Sequence, residues 1–303
     1  MKKKVLVVGF SSISQRHIKI LKKENFDIYL ISKHAKKSKK YKKIILKKAK
    51  KISFYGILLC CPSNERLNYF NKLRNNTKKF FFEKPISDKI GNFKNLNIPK
   101  HLIKRIYVGY VLRHNIIVKK IYNYFKNKKN GKFIGAQFIA RSYLPHWRKH
   151  INYKKSVSAI KSKGGGVLLE LSHELDLIKH IIGNFSVDYF NLFKSKGLDI
   201  DVEDRADLIL KTKNKTPINI ILDFNSRLVE RRFVINFTNV NYEVDLEKDS
   251  LKIINKNKIY SMKFKNLKNK MYEDQIKFFI NKNNFESSFN DSLYVLKKIS
   301  EIR

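Results

Sequence analysis

The sequence predicts an α/β protein in two parts: a doubly wound parallel sheet, then an α+β domain with an open, mainly antiparallel sheet. Three observations carry this reading. Up to about residue 110, short apolar runs alternate with stretches of helical periodicity, the pattern of strands joined by crossover helices. Beyond about residue 190, strand-like runs follow one another with no helix between them, which implies antiparallel or mixed pairing. The 303 residues give room for about two domains of ~100–200 residues, each with its own core.

In order, the first part holds apolar strands at residues 5–8, 28–31, 56–60, 80–82 and 106–109, with helical spacing at 13–23 and 64–73. The pattern changes after Tyr110, so the domain boundary is drawn there, giving domains 1–112 and 113–303. A helix is expected over 116–126 and a strand over 133–141, followed by a polar, aromatic stretch to Lys163. Gly164 opens a helix expected to run through about Ile182. Strands follow at 190–194, 206–210, 218–224, 233–237 and 242–245, and one helix from about Met271 closes the chain.

The net charge of +41, from 66 Lys and Arg against 25 Asp and Glu, raises the question of a nucleic-acid or membrane partner. The excess is mostly lysine, is spread along the chain and accompanies abundant Asn and Ile, the usage of an AT-rich genome. No nucleic-acid-binding motif is present, so neither a specific nucleic acid nor a membrane is expected as partner. The densest run, residues 36–51 with ten lysines, reads as a solvated basic surface. Cys60 and Cys61 are adjacent on an apolar strand and suit neither an ordinary disulfide nor a spaced metal site. No metal is expected, and the setting is reduced and cytoplasmic. The opening Met1-Lys-Lys-Lys and its apolar run mimic a signal peptide, but the run is short and Arg16 and His17 follow closely. No apolar run approaches the ~20 residues of a membrane span.

The segment from Val5 to His17 sits where a dinucleotide fold has its first strand, tight turn and helix start. Of the usual three glycines only Gly9 is present; Ser11 and Ser14 stand for the others, with Ser12 and Ile13 between them at the helix N-terminus. After the second strand, where an acidic residue would hold the ribose of NAD, the chain reads Ser32-Lys33. A hydroxyl followed by a cation favours a 2′-phosphate, so NADP is expected, with NAD as the second choice.

With these pieces in order the chain resembles the Gfo/Idh/MocA oxidoreductases, the family of glucose–fructose oxidoreductase and inositol dehydrogenase. The likeness rests on the opening strand and turn with Arg16-His17, on Cys61-Pro62-Ser63, Glu83-Lys84-Pro85 and Gly109-Tyr110-Val-Leu-Arg113, and on residues 164–183. It continues in Glu203-Asp204, Arg231-Arg232 and Met271-Tyr272. Residues 143–148, 153–159 and 169–176 look like the subgroup found with surface-polysaccharide and acidic-sugar pathways.

The resemblance implies an N-terminal Rossmann domain carrying NAD(P), a C-terminal domain whose open sheet forms an oligomer interface, and hydride transfer at a sugar carbinol carbon. It assigns cofactor contacts to the Gly9 turn, Arg16, Cys61, Pro62, Ser63, Glu83 and Lys84. Lys84 matches the family lysine that bridges substrate hydroxyl and cofactor ribose, and His173 matches the usual acid/base. Much of the family has an acidic residue four positions before that histidine. Here Leu169 holds that place, leaving Glu170, three before, and Asp176, three after, as candidate partners on one helical face. Substrate contacts fall on Arg113, Tyr143, Trp147, Arg148, Tyr153 and Lys154, whose aromatic faces and cations suit a sugar bearing carboxylate or phosphate. A relative that has lost cofactor binding through the two serines, and a nucleic-acid-binding protein, are the competing readings.

Overall fold

Five of the strands that build the first sheet are almost wholly apolar, as strands covered on both faces must be. The computed structural model describes residues 2–36, 38–94, 98–147, 152–256, 258–265 and 267–303. They form two compact units: Met1–Val111 with Tyr272–Leu296, and Leu112–Met271 with Lys297–Arg303.

The first unit contains β1 (Lys4–Val8), β2 (Asp27–Ile31), β3 (Lys42–Lys43), β4 (Gly56–Leu59), β5 (Phe80–Phe82) and β6 (Ile106–Val108). All are parallel, in the order β3-β2-β1-β4-β5-β6. The order reverses direction at β1, and such a switch point leaves a crevice at the carboxyl ends of the strands. The short β3 lies inside the lysine-rich run and was not predicted, because Lys42-Lys43 has no strand signature.

The helix Ser12–Lys23 buries Ile18, Ile20 and Leu21 and ends on Lys22 and Lys23, where cations suit the carboxyl end of the helix dipole. The end of the chain forms two helices, Leu267–Asn281 and Glu286–Ile302, rather than the single one expected. Ile276, Phe279 and Phe285 join Val5, Val7, Leu58, Phe81 and Tyr107 in the first unit's core. Phe279 meets Phe81 edge-on at 5.5 Å, and Ser288 accepts the amide of Val108 at 3.0 Å. Residues 272–296 therefore pack with the first sheet.

In the second unit β7 (Phe133–Arg141), β8 (Phe185–Phe193), β9 (Arg205–Thr212), β10 (Pro217–Asp223), β11 (Glu230–Phe237), β12 (Val240–Asp245), β13 (Ser250–Asn255) and β14 (Ile259–Lys263) form one sheet. Its order is β14-β13-β12-β11-β7-β10-β9-β8, antiparallel except between β7 and β10. The period-2 pattern buries Ala206, Leu208 and Leu210 on β9 and Ile218, Ile220 and Leu222 on β10, while Ile209 and Asn219 between them are exposed. Phe138 and Phe233, directly opposite across β7 and β11, stack at 5.0 Å. The strands β13 and β14 were not predicted, since their alternation is blurred by lysines and asparagines.

The helix expected from Gly164 is two pieces, Val167–Glu170 and His173–Ile181. Leu171, at φ −96° and ψ 24°, leaves helical geometry, and the Ser172 hydroxyl donates to the Leu169 carbonyl at 2.9 Å, a local bond that competes with helix continuation. Glu170 and His173 accordingly end one helix and begin the next, and the shared-face spacing of a single helix does not apply to them. No helix among the described residues is long and apolar enough to cross a membrane.

Candidate active site

Parallel pairing fixes where the predicted cofactor residues stand. Gly9 follows β1, Ser32 and Lys33 follow β2, Cys61-Pro62-Ser63 lie just beyond β4 and Glu83-Lys84-Pro85 follow β5, so all four segments occupy the carboxyl edge of one sheet. The turn after β1 needs glycine. Gly9 has φ +97°, and a Cβ there would come within 2.7 Å of the Cys60 carbonyl oxygen and the Cys61 amide nitrogen, so β1 and β4 close on each other through bare backbone.

The two serines have work of their own. Ser11 caps the helix Ser12–Lys23, its hydroxyl accepting the Ser14 amide at 3.3 Å, and the Ser14 hydroxyl donates to the Ser11 carbonyl at 2.8 Å. This reciprocal pair holds the helix N-terminus, where Ser12 and Ile13 present first-turn amides that have no intrahelical acceptor. A helix start behind a glycine turn is the place where a fold of this topology receives a pyrophosphate. The chain therefore keeps the glycine turn and a capped helix start at that place.

Beside the turn, the carboxyl ends of β2 and β3 open into a cavity of about 1180 Å³ lined by Ile31, Ser32, Lys33, Lys39, Lys43 and Lys48 among others. Tyr41 also lines it; its ring meets Phe10 edge-on at 5.7 Å and its hydroxyl donates to the Lys36 carbonyl at 2.7 Å. The lysine-rich run, read from sequence as solvated surface, thus supplies a wall of this cavity. Among the described residues no carboxylate lines it; Lys33, Lys39, Lys43 and Lys48 bring cations to it, and Ser32, Ser38, Tyr41 and Tyr69 bring hydroxyls.

Two buried side chains that the sequence did not single out as working parts hold the edge in shape. His17 Nε2 lies 2.7 Å from Glu83 Oε1, with His17 wholly buried. Arg66, 6 % exposed, donates from Nε to the Cys61 carbonyl at 2.9 Å and from Nη1 to the carbonyls of Glu83 and Pro85. One guanidinium thus staples the loop after β4 to the loop after β5, which carries half-buried Lys84. Arg16 packs its guanidinium 4.3 Å over the Tyr272 ring. His17, Cys60 and Glu83 are the one cluster of metal-ligand types among the described residues, their atoms within 4.8 Å of one another. The His17–Glu83 bond already engages two of the three, and burial pushes the Cys60 thiol well above its ordinary range.

The second unit carries the remaining predicted residues. Arg113 grips Asp176 through both carboxylate oxygens, at 2.7 and 2.9 Å, and Asp176 is 1 % exposed. Asp176 is thereby engaged by Arg113, and two residues earlier in the helix Glu174 is paired with Arg231 at 2.9 Å. The glycines before Val167 are required by close packing. A Cβ on Gly165 would lie 2.7 Å from the Ser158 carbonyl oxygen, and one on Gly166, at φ +113°, would lie 2.7 Å from the Glu203 carboxyl carbon. Burial raises the pKa of Glu203, opposed by the Arg303 guanidinium 3.1 Å away.

Tyr143 lies under the Arg227 guanidinium at 3.8 Å, and Trp147 donates to the Ser142 hydroxyl at 2.8 Å and meets Phe224 edge-on. Tyr153 accepts the Asp199 amide at 3.3 Å, and the exposed Lys154 pairs with the Asp199 carboxylate at 2.6 Å. Arg148 lies outside the described residues.

No protein-family model and no curated protein matches the chain in sequence. Solved structures match it along its whole length. Levoglucosan dehydrogenase in complex with NADH superposes with a TM-score of 0.83 at 12% identity, over 99% of this chain and 96% of that one. KijD10, a 3-ketoreductase from Actinomadura kijaniata in complex with NADP and TDP-benzene, gives 0.82 at 11% identity, over 98% and 95%. The WlbA dehydrogenase from Bordetella pertussis, in complex with NADH and UDP-GlcNAcA, gives 0.76 at 14% identity, over 99% and 95%.

The chain has the fold of these oxidoreductases. The shared architecture spans both sheets, so the likeness covers the two-part α/β organisation legible in the sequence and not the first sheet alone. At such identities the likeness speaks for backbone, and the roles of individual side chains rest on the local geometry described above.

Proposed function

We propose that this chain is an NAD(P)-dependent oxidoreductase of the Gfo/Idh/MocA type, acting between the nicotinamide and a carbinol carbon of a sugar or sugar derivative, with NADP preferred. One observation carries the reading. The Gly9 turn, the Ser11-capped helix start, Ser32-Lys33 and the Arg66-stapled Glu83-Lys84-Pro85 segment converge on the carboxyl edge of one parallel sheet, in a fold shared end to end with dehydrogenases. When bound, the nicotinamide accepts or supplies the hydride.

The chain's own residues handle charge and protons. Lys84 holds its ammonium toward the reacting oxygen, stabilising alkoxide character and relaying a proton. His173 exchanges a proton with that oxygen, using an imidazole whose ordinary pKa lies near working pH. Asp176 acts through Arg113, which it holds in place, leaving Glu170 as the carboxylate for His173 or for substrate. Arg113, Tyr143, Trp147, Arg148, Tyr153 and Lys154 take the sugar and its acidic or phosphorylated substituent. The two reduced, buried cysteines favour a cytoplasmic setting. The exposed Tyr189 and Ile209, paired across β8 and β9 on the open sheet, favour a homo-oligomer built on that face.

Titration with NADPH and NADH at moderate salt, followed by nicotinamide fluorescence, tests the reading. Saturable NADPH binding, tighter than NADH, and turnover on sugars or nucleotide sugars that falls by orders of magnitude in Lys84→Ala and His173→Ala are expected. A chain that binds neither cofactor would instead be a non-catalytic relative. The observation on that side is that Ser11 commits the Ser14 amide to a cap.

A further inference from the structure

The first unit has a second large concavity at the opposite edge of its sheet. The segments leading into β4, β5 and β6, together with Asn283, surround an open cavity of about 1050 Å³. Because the six strands are parallel, these amino ends lie on the edge away from Gly9, Ser32 and Lys84. Arg74, Lys78, Lys79 and Arg105 line the cavity with His101, and among the described residues no carboxylate does. Nothing in the dinucleotide reading uses any of them.

Lys79 is the telling member. It is 7 % exposed, and its ammonium donates to the Ile280 carbonyl at 2.6 Å and the Tyr55 hydroxyl at 3.2 Å, both neutral, while lying 4.9 Å over the Tyr55 ring. An ammonium has three donors, and these acceptors use two. A buried cation with no carboxylate partner among the described residues is costly to maintain, and three further cations around the same space raise that cost. The lysine excess of the whole chain does not account for the group. Compositional drift adds lysines to exposed surface, whereas Lys79 is buried and two of the twelve arginines of the sequence stand here.

The chemistry that fits is a compact polyanion. Phosphate oxygens accept charge-assisted bonds from a guanidinium in pairs and from an ammonium singly. Ser53, Asn75 and Thr77 add neutral polar groups to the lining, and the volume suits a small molecule. We propose that this cavity is a second anion site, taking a small molecule that carries a diphosphate or two phosphate groups, independent of the dinucleotide edge.

Inorganic pyrophosphate is the probe, titrated calorimetrically into the full chain at about 0.15 M salt, where charges more than ~8 Å apart are largely screened. With the dinucleotide edge kept filled by saturating NADPH, one saturable site is expected. Arg74→Gln with Arg105→Gln should weaken it about tenfold or more, a loss of ~1.4 kcal/mol. The charge-matched pair Lys213→Gln with Lys265→Gln, outside the cavity, should leave it within about twofold. Thermal melts accompany each variant. Should the double arginine variant fail to fold, Arg74→Gln alone, on an exposed side chain, is expected to weaken binding about threefold. No saturable binding by the unaltered chain, equal weakening by the two pairs, or binding that survives loss of both arginines would overturn the proposal.

Discussion

His17 Nε2 and Glu83 Oε1 stand 2.7 Å apart, 66 residues distant in sequence, and join the helix behind the Gly9 turn to the segment that carries Lys84. The histidine is wholly buried and the glutamate side chain is 10 % exposed, so neither finds a substitute partner in water. Removing the imidazole leaves a carboxylate in the sheet's edge with its main donor gone. His17→Leu should lower unfolding free energy by about 3–5 kcal/mol, read from urea denaturation. A loss under about 1 kcal/mol would mean that the pair contributes no more than an exposed ion pair does.

Arg66 makes a related prediction with a different signature. Its guanidinium serves three carbonyls on two loops, a geometry that a single ammonium cannot reproduce. Arg66→Lys should therefore cost about 2–4 kcal/mol, from carbonyls left with no donor. It should also weaken NADPH binding, since Lys84 loses the staple that fixes its loop. Unchanged stability and unchanged NADPH affinity together would remove Arg66 from the architecture of the site.

For Ser11 the expected outcome depends on the replacement. Ser11→Ala deletes the cap and should cost about 1 kcal/mol, whereas Ser11→Gly should cost only a few tenths. Glycine also clears the Cβ from the place where backbone nears a pyrophosphate. Melting temperature and NADPH affinity should then part company, with the glycine variant binding NADPH more tightly than the original chain. If glycine fails to tighten binding, the turn already accommodates serine.

Much of this was legible in the residues because periodicity reports burial. The runs at 5–8, 56–59 and 80–82 are apolar throughout and became strands covered on both faces, and alternation along 206–210 and 218–222 became the two-faced sheet. The turn and the Glu83-Lys84-Pro85 segment could be placed at one edge because parallel strands put every following loop on the same side. Other features are silent in the sequence because a side chain's long-range partner leaves no local pattern. Nothing around Arg66 announces that it reaches Cys61, Glu83 and Pro85, and nothing in residues 272–296 says which sheet their apolar face covers. The break at Leu171 is a different case: the Ser172 hydroxyl takes the Leu169 carbonyl three residues back, a local bond that competes with helix continuation, and good helical sequence on either side masks it.

Cys61 supplies the last prediction, in the pH dependence of stability. It lies beyond β4 on the carboxyl edge, and burial pushes its thiol from an ordinary 9.0 up to about 12. Below pH 9 the folded and unfolded chains both keep the proton, so the group has no effect. Above pH 9 the unfolded chain ionises while the folded one cannot, so stability contributed by the buried thiol is lost progressively from pH 9 to about 12. Titration of the many lysines over the same range acts equally on a Cys61→Ala variant, and the comparison isolates the thiol. Relative to that variant the original chain should lose stability at up to ~1.4 kcal/mol per pH unit. Its native thiol should resist alkylation at pH 8, since the thiolate is the reactive form. Parallel pH profiles for the two chains would show that Cys61 meets water in the folded state, and the loop after β4 would then be open where the structure has it closed.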